Sequence, residues 1–308
     1  MSHTRGRGAL KPAPFEFHAP AAVADAVGLL AEHGDEAKPL AGGQSLVPML
    51  ALRLARFAHL VDLNRLGELQ RIEREDGTGG TPDGVVAVGA MARQATVGAD
   101  PEVASAVPLL SRVTPLIGHF QIRNRGTLGG SIAHADPASE YPAVALALGA
   151  EMEVAGPTGS RRVAARDFFV STWTTTLAAD ELLLAVRFPV WTGRCGFAVE
   201  EVARRAGDFA LAGCVCGVSL DDAGRVTRAA IGLMGMGSTP VRAEGAEAAL
   251  LGTDVSDGAP DLADVGELAA GEADPVDDVH ASARYRRQVG GRLVTRALGR
   301  AVEEARRG

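Results

Sequence analysis

Two glycine-rich segments of the sequence carry the residue types that bind a diphosphate. The first joins a predicted strand to a predicted helix, where adjacent glycines let the backbone approach a ligand closely and adopt positive φ. Free N–H groups of such a turn, together with the start of the helix, form an anion site. Its serine can cap the helix or donate its hydroxyl to a phosphate. This segment consists of Ala41, Gly42, Gly43, Gln44 and Ser45.

The second segment repeats this chemistry, with two glycines between hydroxyl side chains. A single Gly-Gly turn is usually a plain loop, but two of them can grip the pyrophosphate of a dinucleotide from opposite sides. The usual nucleotide motifs are missing, since the chain has neither a P-loop nor a G-x-G-x-x-G fingerprint in a βαβ unit. This segment consists of Thr127, Leu128, Gly129, Gly130 and Ser131.

Other residues that could do chemistry fit structural roles better. His134 and Asp136 lack a third ligand, which favours a polar loop over a metal site. Cys214 and Cys216 lie two apart in a β-like run, so both thiols point to one face. Three cysteines fall short of the four that an iron–sulfur cluster normally takes, and we expect core packing. Packing is also the expectation for the tryptophans, Trp173 and Trp191.

The composition is that of a globular protein from a reducing compartment. With 308 residues, 46% hydrophobic and 22% charged, the chain can bury a core and form two or three domains. A net charge of −7 argues against general nucleic-acid binding, which needs clustered cations. Three cysteines cannot build a disulfide framework, and neither a signal-like apolar run nor a membrane-spanning stretch is visible. We therefore expect a soluble, cytoplasmic protein.

The first glycine turn lies in a predicted α/β unit. Val23, Ala26, Val27 and Leu30 form one helical face, which Gly34 closes as a C-cap. Alternating strands and helices over about 60 residues indicate a small parallel sheet. The predicted strands cover residues 15–18, 38–41 and 59–63, and the predicted helices cover residues 22–33 and 46–54.

The second glycine turn lies in a block of hairpins and helices. Residues 70–75 and 85–89 flank a glycine-rich connection at 76–80 and predict a hairpin, and residues 154–163 predict another. The polar segment 119–130 ends in the second turn. The predicted helices of this block cover residues 97–106, 108–117 and 141–148.

From about residue 180 the pattern becomes that of an antiparallel sheet followed by helices. The acidic, Gly/Pro-rich region 252–277 is typical of a linker or surface loop. The predicted strands of this sheet cover residues 182–188, 196–204, 210–220 and 227–234. The predicted helices cover residues 241–251, 262–270 and 278–306.

Three motifs occur in a fixed order along the chain. They are A-G-G-Q-S-L-V-P-M-L at 41–50, N-R-G-T-L-G-G-S-I-A-H-A-D-P-A-S-E-Y-P-A at 124–143 and R-R-A-G-D-F-A at 204–210. Together they closely resemble the FAD-binding medium subunit of molybdenum hydroxylases. This group contains the carbon monoxide dehydrogenase medium subunit and the flavin domain of xanthine dehydrogenase. The resemblance runs from Phe15 to the last helix.

The resemblance implies an α+β fold. This is the two-subdomain FAD-binding fold of the vanillyl-alcohol oxidase type, followed by a carboxyl-terminal α+β domain. FAD would lie between an amino-terminal subdomain (1–60) and a middle subdomain (61–177). The carboxyl-terminal domain (178–308) would cover the flavin side.

The resemblance also implies roles for single residues. Both glycine segments would surround the diphosphate and the flavin. Glu140 stands where the family usually has an Asp that contacts a sugar hydroxyl, and it is one methylene longer. Leu183 matches a position that lines the flavin ring in some members, and Asp208 of the third motif would lie near the ring.

One family feature is absent. A lysine often precedes the arginine pair of the third motif, but Glu200 and Glu201 stand there. A cationic partner for the reduced flavin would have to come from elsewhere, with Arg204 and Arg205 as candidates.

The implied function is that of an oxidoreductase subunit that relays electrons. Substrate would be oxidised at a molybdenum centre on a large partner subunit, and electrons would cross two [2Fe–2S] clusters of a small subunit to reach FAD. The external acceptor would be NAD or a quinone, and the assembly a dimer of heterotrimers. No motif indicates a residue for bond-making catalysis.

Two alternatives remain open at this point. A non-catalytic assembly subunit would keep the fold but bind FAD weakly or not at all, and the glycine turns oppose this. A stand-alone flavin oxidase would turn over without partners, and the absence of an obvious substrate base counts against it.

Overall fold

A parallel three-stranded sheet forms the amino-terminal part of the molecule. The strands pair in the order β1-β3-β2, so the predicted α/β unit is confirmed. The buried face of the first helix, Ala26, Val27 and Leu30, packs with Val61 of the central strand. The elements are β1 (Glu16–His18), α1 (Val23–His33), β2 (Ala37–Leu40), α2 (Leu46–Ala51) and β3 (His59–Asp62). The computed structural model describes residues 11–77, 81–255 and 262–308.

An antiparallel five-stranded sheet forms the centre of the middle part. The two predicted hairpins are present, and part of the first connection, residues 78–80, lies outside the described residues. The five strands of this sheet are β4 (Ile72–Glu75), β5 (Val85–Gly89), β6 (Glu151–Gly156), β7 (Gly159–Ala164) and β10 (Leu182–Pro189). A separate two-stranded sheet consists of β8 (Phe169–Ser171) and β9 (Thr174–Thr175).

Strand β10 corrects one prediction. It was expected to join the strands that follow it, but it lies between β5 and β6 in the order β4-β5-β10-β6-β7. Phe188 and Val186 are fully buried in the core of the middle part, which explains this placement. Residues 182–189 therefore belong to the middle sheet, while the predicted domain division at residue 177 stays a prediction.

The helices of the middle part are shorter and more numerous than predicted. The stretch 97–106 is broken because Pro101 begins a new helix and Asp100 caps it, its carboxylate accepting from the Val103 N–H at 3.0 Å. The polar segment 119–130 contains a helix. The helices are α3 (Gln94–Ala99), α4 (Pro101–Ala106), α5 (Pro108–Val113), α6 (Phe120–Arg125), α7 (Leu128–His134), α8 (Glu140–Leu148) and α9 (Ala165–Phe168). Short 3₁₀ helices cover Gly34–Glu36, Gly67–Gln70 and Thr114–Leu116.

The carboxyl-terminal part is an antiparallel sheet covered by helices. Its strands pair in the order β11-β12-β13-β14, as predicted for the last three β-like runs. The elements are β11 (Arg194–Val202), β12 (Ala212–Leu220), β13 (Val226–Met234), β14 (Val241–Arg242), α10 (Glu244–Leu250), α11 (Leu262–Gly271) and α12 (Ala283–Arg307).

Two helix boundaries in this part differ from prediction. The helix expected from residue 241 begins at Glu244, because Val241 pairs with β13 instead. The last helix begins at Ala283 rather than 278, since Ser282 caps it and accepts from the Tyr285 N–H. Helix α11 confirms the helix predicted at residues 262–270, and residues 256–261 of the expected linker or surface loop lie outside the described residues.

Helix α8 joins the middle and carboxyl-terminal parts. All nine of its residues are buried, as expected for a helix that is apolar all round. A Cβ on Gly232 of β13 would lie 2.6 Å from the Ala143 carbonyl oxygen, so strand and helix backbones approach closely. Helix α12 covers the other face of the sheet and approaches it even more closely at Gly196, where an added Cβ would meet the Ala301 carbonyl oxygen. In the described residues, no helix combines the length and apolar character needed to cross a bilayer.

Candidate functional site

A cavity of about 700 Å³ lies where the three parts of the chain meet. Its volume is in the range of cofactor and ligand pockets. The amino-terminal part contributes the first glycine turn, the middle part the second turn and Glu140, and the carboxyl-terminal part the loop Gly207–Phe209. Below, this space is called the cavity.

Twelve of the thirteen residues predicted for the site line the cavity. The exception is Leu128, which is fully buried in the core and faces away from this space. The twelve are Ala41, Gly42, Gly43, Gln44, Ser45, Thr127, Gly129, Gly130, Ser131, Glu140, Leu183 and Asp208.

The two glycine turns touch each other, although about 85 residues separate them. A Cβ on Gly42 would lie 2.3 Å from the Arg125 carbonyl oxygen and 2.7 Å from the Gly126 Cα. A Cβ on Gly130 would lie 3.4 Å from the Cβ of Ala41. No side chain fits at Gly42, and the two backbones form one continuous wall of the cavity.

The first turn presents unshared donors to the cavity. In the described part of the chain, no acceptor is found for the backbone N–H groups of residues 42–46. Gly43 has a φ of 75°, a conformation that favours glycine and turns the chain into α2. The Gln44 side chain donates to the Gly42 carbonyl oxygen at 3.0 Å and holds the turn. An anion would satisfy these N–H groups.

The second turn lacks the free N–H groups that its sequence predicted. Its N–H groups at residues 128–131 already donate within the protein, the first two to the Ala92 and Ala90 carbonyl oxygens and the others to Thr127. Thr127 Oγ1 caps α7 by accepting from the Gly130 N–H at 3.0 Å. The second turn therefore offers close approach and the Ser131 hydroxyl, but not the free N–H groups that the sequence suggested.

A hydrogen-bond network braces the two turns. Asn64 donates its side-chain N–H to the Ala41 carbonyl oxygen at 3.1 Å. The Arg93 guanidinium donates to Asn64 Oδ1 at 2.6 Å and also to the Arg125 carbonyl oxygen. These two polar side chains therefore link the amino-terminal and middle parts beside the cavity. No sequence motif pointed to them.

Glu140 is the first residue of α8 and is almost fully buried. Burial raises the pKa of its carboxyl group to about 8, and the nearby carboxylates of Glu201 and Asp136 act in the same direction. Burial also raises the pKa of Glu201 to about 7. At neutral pH most Glu140 carboxyl groups keep their proton, so this group can donate as well as accept a hydrogen bond.

Lys38 is the cation of the cavity wall. It is the one lysine or arginine among the described residues that line this space. Lys38 as a whole is exposed, and partial desolvation by the surrounding residues lowers the pKa of its ammonium group. Arg204 and Arg205, the candidates from the sequence, are exposed and outside the wall. The sequence offered one signal for Lys38, namely its position. It precedes the first turn by three residues and is one of only two lysines in the chain.

Aromatic residues form the rim of the cavity. Trp173, expected to pack in the core, is 58% exposed and lines the cavity instead. Its indole N–H donates to Asp136 Oδ2 at 3.1 Å, and its ring stacks on His134. Asp136 Oδ1 accepts from the Ala138 N–H, so both carboxylate oxygens hold the loop. Phe209, which sequence reasoning missed, is 62% exposed on the rim.

The remaining aromatic and thiol predictions are confirmed. Trp191 is buried and packs against Phe197. Cys214 and Cys216 are fully buried in the carboxyl-terminal core, with both side chains on one face of β12.

Two family profiles match nearly the whole chain. The first, the FAD binding domain in molybdopterin dehydrogenase, matches residues 13–191. The second, the CO dehydrogenase flavoprotein C-terminal domain, matches residues 197–301.

Curated relatives and solved structures agree with these matches. The 6-hydroxypseudooxynicotine dehydrogenase complex subunit alpha of Paenarthrobacter nicotinovorans is 39% identical, covering 96% of this chain and 97% of the relative. The carbon monoxide dehydrogenase medium chain of Afipia carboxidovorans is 40% identical, covering 96% and 99%. The reconstituted CO dehydrogenase from Oligotropha carboxidovorans superposes with a TM-score of 0.89 at 38% identity, covering 95% of this chain and 99% of that chain.

These matches confirm the α+β fold class, an FAD-binding fold followed by a carboxyl-terminal flavoprotein domain. The chain therefore belongs to the FAD-binding medium subunits of the molybdenum hydroxylase family, which are oxidoreductase subunits.

Proposed function

We propose that this chain is the electron-transfer subunit of a molybdenum hydroxylase complex and that FAD occupies the cavity. One observation carries the proposal. The two glycine turns meet at the cavity wall, and the first turn leaves its N–H groups at residues 42–46 without acceptors. Such a row of donors suits a diphosphate, which offers only acceptors.

The residues around the cavity fit this cofactor. The absent Cβ atoms at Gly42 and Gly130 let a ligand approach the backbone. Lys38 supplies a positive charge for the diphosphate, and the Ser131 hydroxyl a further donor. Glu140 suits a sugar hydroxyl, while Leu183 and Asp208 would lie toward the flavin ring.

When bound, FAD supplies one- and two-electron redox chemistry, while the chain supplies binding, orientation and electrostatics. Amides of the first turn hold the diphosphate and thereby fix the position of the ring. Glu140 keeps a proton on its carboxyl oxygen at neutral pH and orients the sugar. Trp173 and Phe209 at the rim exclude water from one side of the cavity.

Partner subunits follow from the relatives. One relative is named as a subunit of a dehydrogenase complex and another as a medium chain. We propose a large molybdenum-cofactor subunit and a small [2Fe–2S] subunit as partners, with electrons passing through FAD to NAD or a quinone. A dimer of heterotrimers completes the proposal. The three free cysteines support a cytoplasmic setting.

Affinity isolation of the native complex through this chain tests the proposal. We expect two co-purifying subunits, molybdenum, iron and visible flavin absorbance, and light scattering that indicates two copies of each subunit. Recovery of the chain alone and colourless would overturn the proposal. A complex with molybdenum and iron but no flavin would favour the assembly-only alternative. Reduction of the flavin by substrate, followed by reoxidation with NAD or a quinone, identifies the acceptor.

A further inference from the structure

Three histidines from three different elements converge in the amino-terminal part. His18 ends β1, His33 ends α1 and His59 begins β3. One ligand nitrogen from each lies within 4.8 Å of the others. The rings of His33 and His59 stack with centroids 3.7 Å apart, and His18 Nε2 lies 3.1 Å from His59 Nδ1.

The sheet register explains this convergence. β1 and β3 pair in parallel with Glu16 opposite His59, so these two side chains share a face. His18 lies two residues after Glu16 and therefore on the same face. Helix α1 packs on the sheet and brings His33 to this place with its last residue. The packing of two strands and a helix therefore brings the three histidines together.

The spacing suits a metal ion with imidazole ligands. A tetrahedral zinc site with Zn–N distances of about 2.0–2.1 Å places its ligand atoms about 3.3 Å apart. The His18–His59 pair is already near this separation, and the His33 nitrogen lies within 4.8 Å, so metal binding requires the His33 ring to turn out of its stack on His59. Glu16 Oε2 lies 3.7 Å from His59 Nδ1 on an exposed side chain, where it can serve as a fourth ligand.

This cluster is separate from the flavin cavity. The first glycine turn follows the carboxyl end of β2, whereas His59 lies at the amino end of β3 and His33 precedes the amino end of β2. The four residues of β3 span about 10 Å between these ends. Neither the three histidines nor Glu16 lines the cavity.

We propose that His18, His33 and His59, with Glu16, form a binding site for a divalent transition metal of the zinc type. Imidazole nitrogen with one carboxylate is a donor set that such ions prefer. The bound ion joins β1 and α1 to the central strand β3. Since β1 has only three residues, this cross-link stabilises the unit that carries the first glycine turn.

Zinc binding to the full chain without an affinity tag tests the proposal. The protein is freed of metal with a chelator, titrated with Zn²⁺ and desalted, and its zinc content is measured. We expect one zinc per chain and a raised melting temperature. His33→Gln should weaken zinc affinity by at least about tenfold, since even residues that only support a ligand have effects of this size. His280→Gln, at an exposed histidine outside the cluster, should bind like the wild type.

Two further readouts keep the test decisive. If His33→Gln does not fold, binding of Co²⁺ to the wild type should give the intense visible bands of a tetrahedral site. Glu16→Gln should fold and bind zinc more weakly than the wild type. The proposal is overturned if the wild type retains no zinc and shows no cobalt bands, since the histidines then form only a hydrogen-bonded stack. Zinc binding that His33→Gln and His280→Gln share equally also overturns it.

Discussion

Gly42 allows the two glycine turns to contact each other because it has no side chain. A Cβ there would lie 2.3 Å from the Arg125 carbonyl oxygen, and its φ is not positive, so contact rather than backbone conformation requires glycine. We expect Gly42→Ala to separate the turns at a cost of about 1–3 kcal/mol. Flavin retained after gel filtration should fall sharply, and absorbance of the eluted protein measures it.

A second glycine supplies the control. Gly28 lies within α1, and an added Cβ would meet nothing within 4 Å. Gly28→Ala should keep its flavin and gain about 0.5–1 kcal/mol of stability. Equal flavin retention in the two variants would show that the contact at Gly42 does not shape the binding site.

Glu140 makes the stability of the flavin-free protein depend on pH. Its pKa rises from 4.5 to about 8 in the folded state, mainly through burial. Between these values the unfolded chain has lost a proton that the folded chain keeps, so stability falls as pH rises through this window. The slope from this one group is at most about 1.4 kcal/mol per pH unit.

Glu140→Gln removes this titration. We expect the flavin-free variant to be more stable than the wild type near pH 8 and similar to it near pH 4.5. Urea denaturation across this range measures the difference. Glu201 has a pKa of about 7, and its smaller decline of the same sign remains in the variant. If the free energy of unfolding changes with pH in parallel for wild type and variant, Glu140 is not the source of the pH dependence.

Lys38 should strengthen flavin binding through its charge. Lys38→Met keeps the aliphatic stem but removes the ammonium group, so we expect FAD affinity to drop about tenfold and to depend less on salt. Fluorescence titration of the flavin-free protein gives both quantities. Lys11→Met changes the other lysine, which is exposed and outside the cavity, and should leave affinity unchanged. An equal effect of both variants would indicate general electrostatics.

At the scale of elements, the two glycine turns resemble each other in sequence but differ in function. The amides of residues 42–46 lack acceptors, whereas those of residues 128–131 have them. FAD should therefore slow hydrogen exchange strongly at residues 43–46 and change it little at residues 128–131. Exchange measured by mass spectrometry, with and without FAD, checks this. Equal protection of both turns would mean that the second also donates to the diphosphate.

The sequence predicted the location of both turns but not this difference. Local alternation of strand and helix indicates the α/β unit around Gly43, because hydrophobic period and glycine punctuation are local properties. Two of the four acceptors for the second turn are the carbonyl oxygens of Ala90 and Ala92, nearly 40 residues earlier. Only the folded chain brings them together.

Strand β10 also shows that local sequence patterns do not predict contacts between residues far apart in the chain. The β-like run at residues 182–188 correctly predicted a strand, but the run does not show which strands it pairs with, because pairing depends on the topology of the sheet. Because β10 follows the middle elements and precedes the three other strands predicted after residue 180, chain order favoured the later sheet. Its observed partners β5 and β6 lie earlier in the chain and bury Val186 and Phe188 in the middle core. The place of Lys38 in the cavity wall was not predicted, for a related reason. Lys38 belongs to strand β2, and no local motif indicates that a strand residue lines a cavity.

At the scale of the whole molecule, α8 couples the carboxyl-terminal sheet to the cavity. Gly232 packs against Ala143, and the same sheet carries the loop Gly207–Phe209 to the cavity rim. We expect Gly232→Ala to overpack this contact, at a cost of about 1–3 kcal/mol, and to weaken flavin retention at a distance. Melting temperature and flavin content of the purified protein measure the two effects.

Gly299 in α12 gives the matched comparison. An added Cβ there would meet nothing within 4 Å, so Gly299→Ala should leave flavin content unchanged and raise the melting temperature slightly. Loss of stability in Gly232→Ala without loss of flavin would show that the carboxyl-terminal sheet is not coupled to the cavity.

The contribution of Gly207–Phe209 to the cavity rim also sets an order of events during biosynthesis. A ribosome delivers the donor row of the first turn early, but the opposite rim emerges only some 160 residues later. The chamber therefore gains this side of its rim only after about two thirds of the polypeptide has been translated. We expect a fragment that ends before Gly207 to leave the proposed flavin site open on this side.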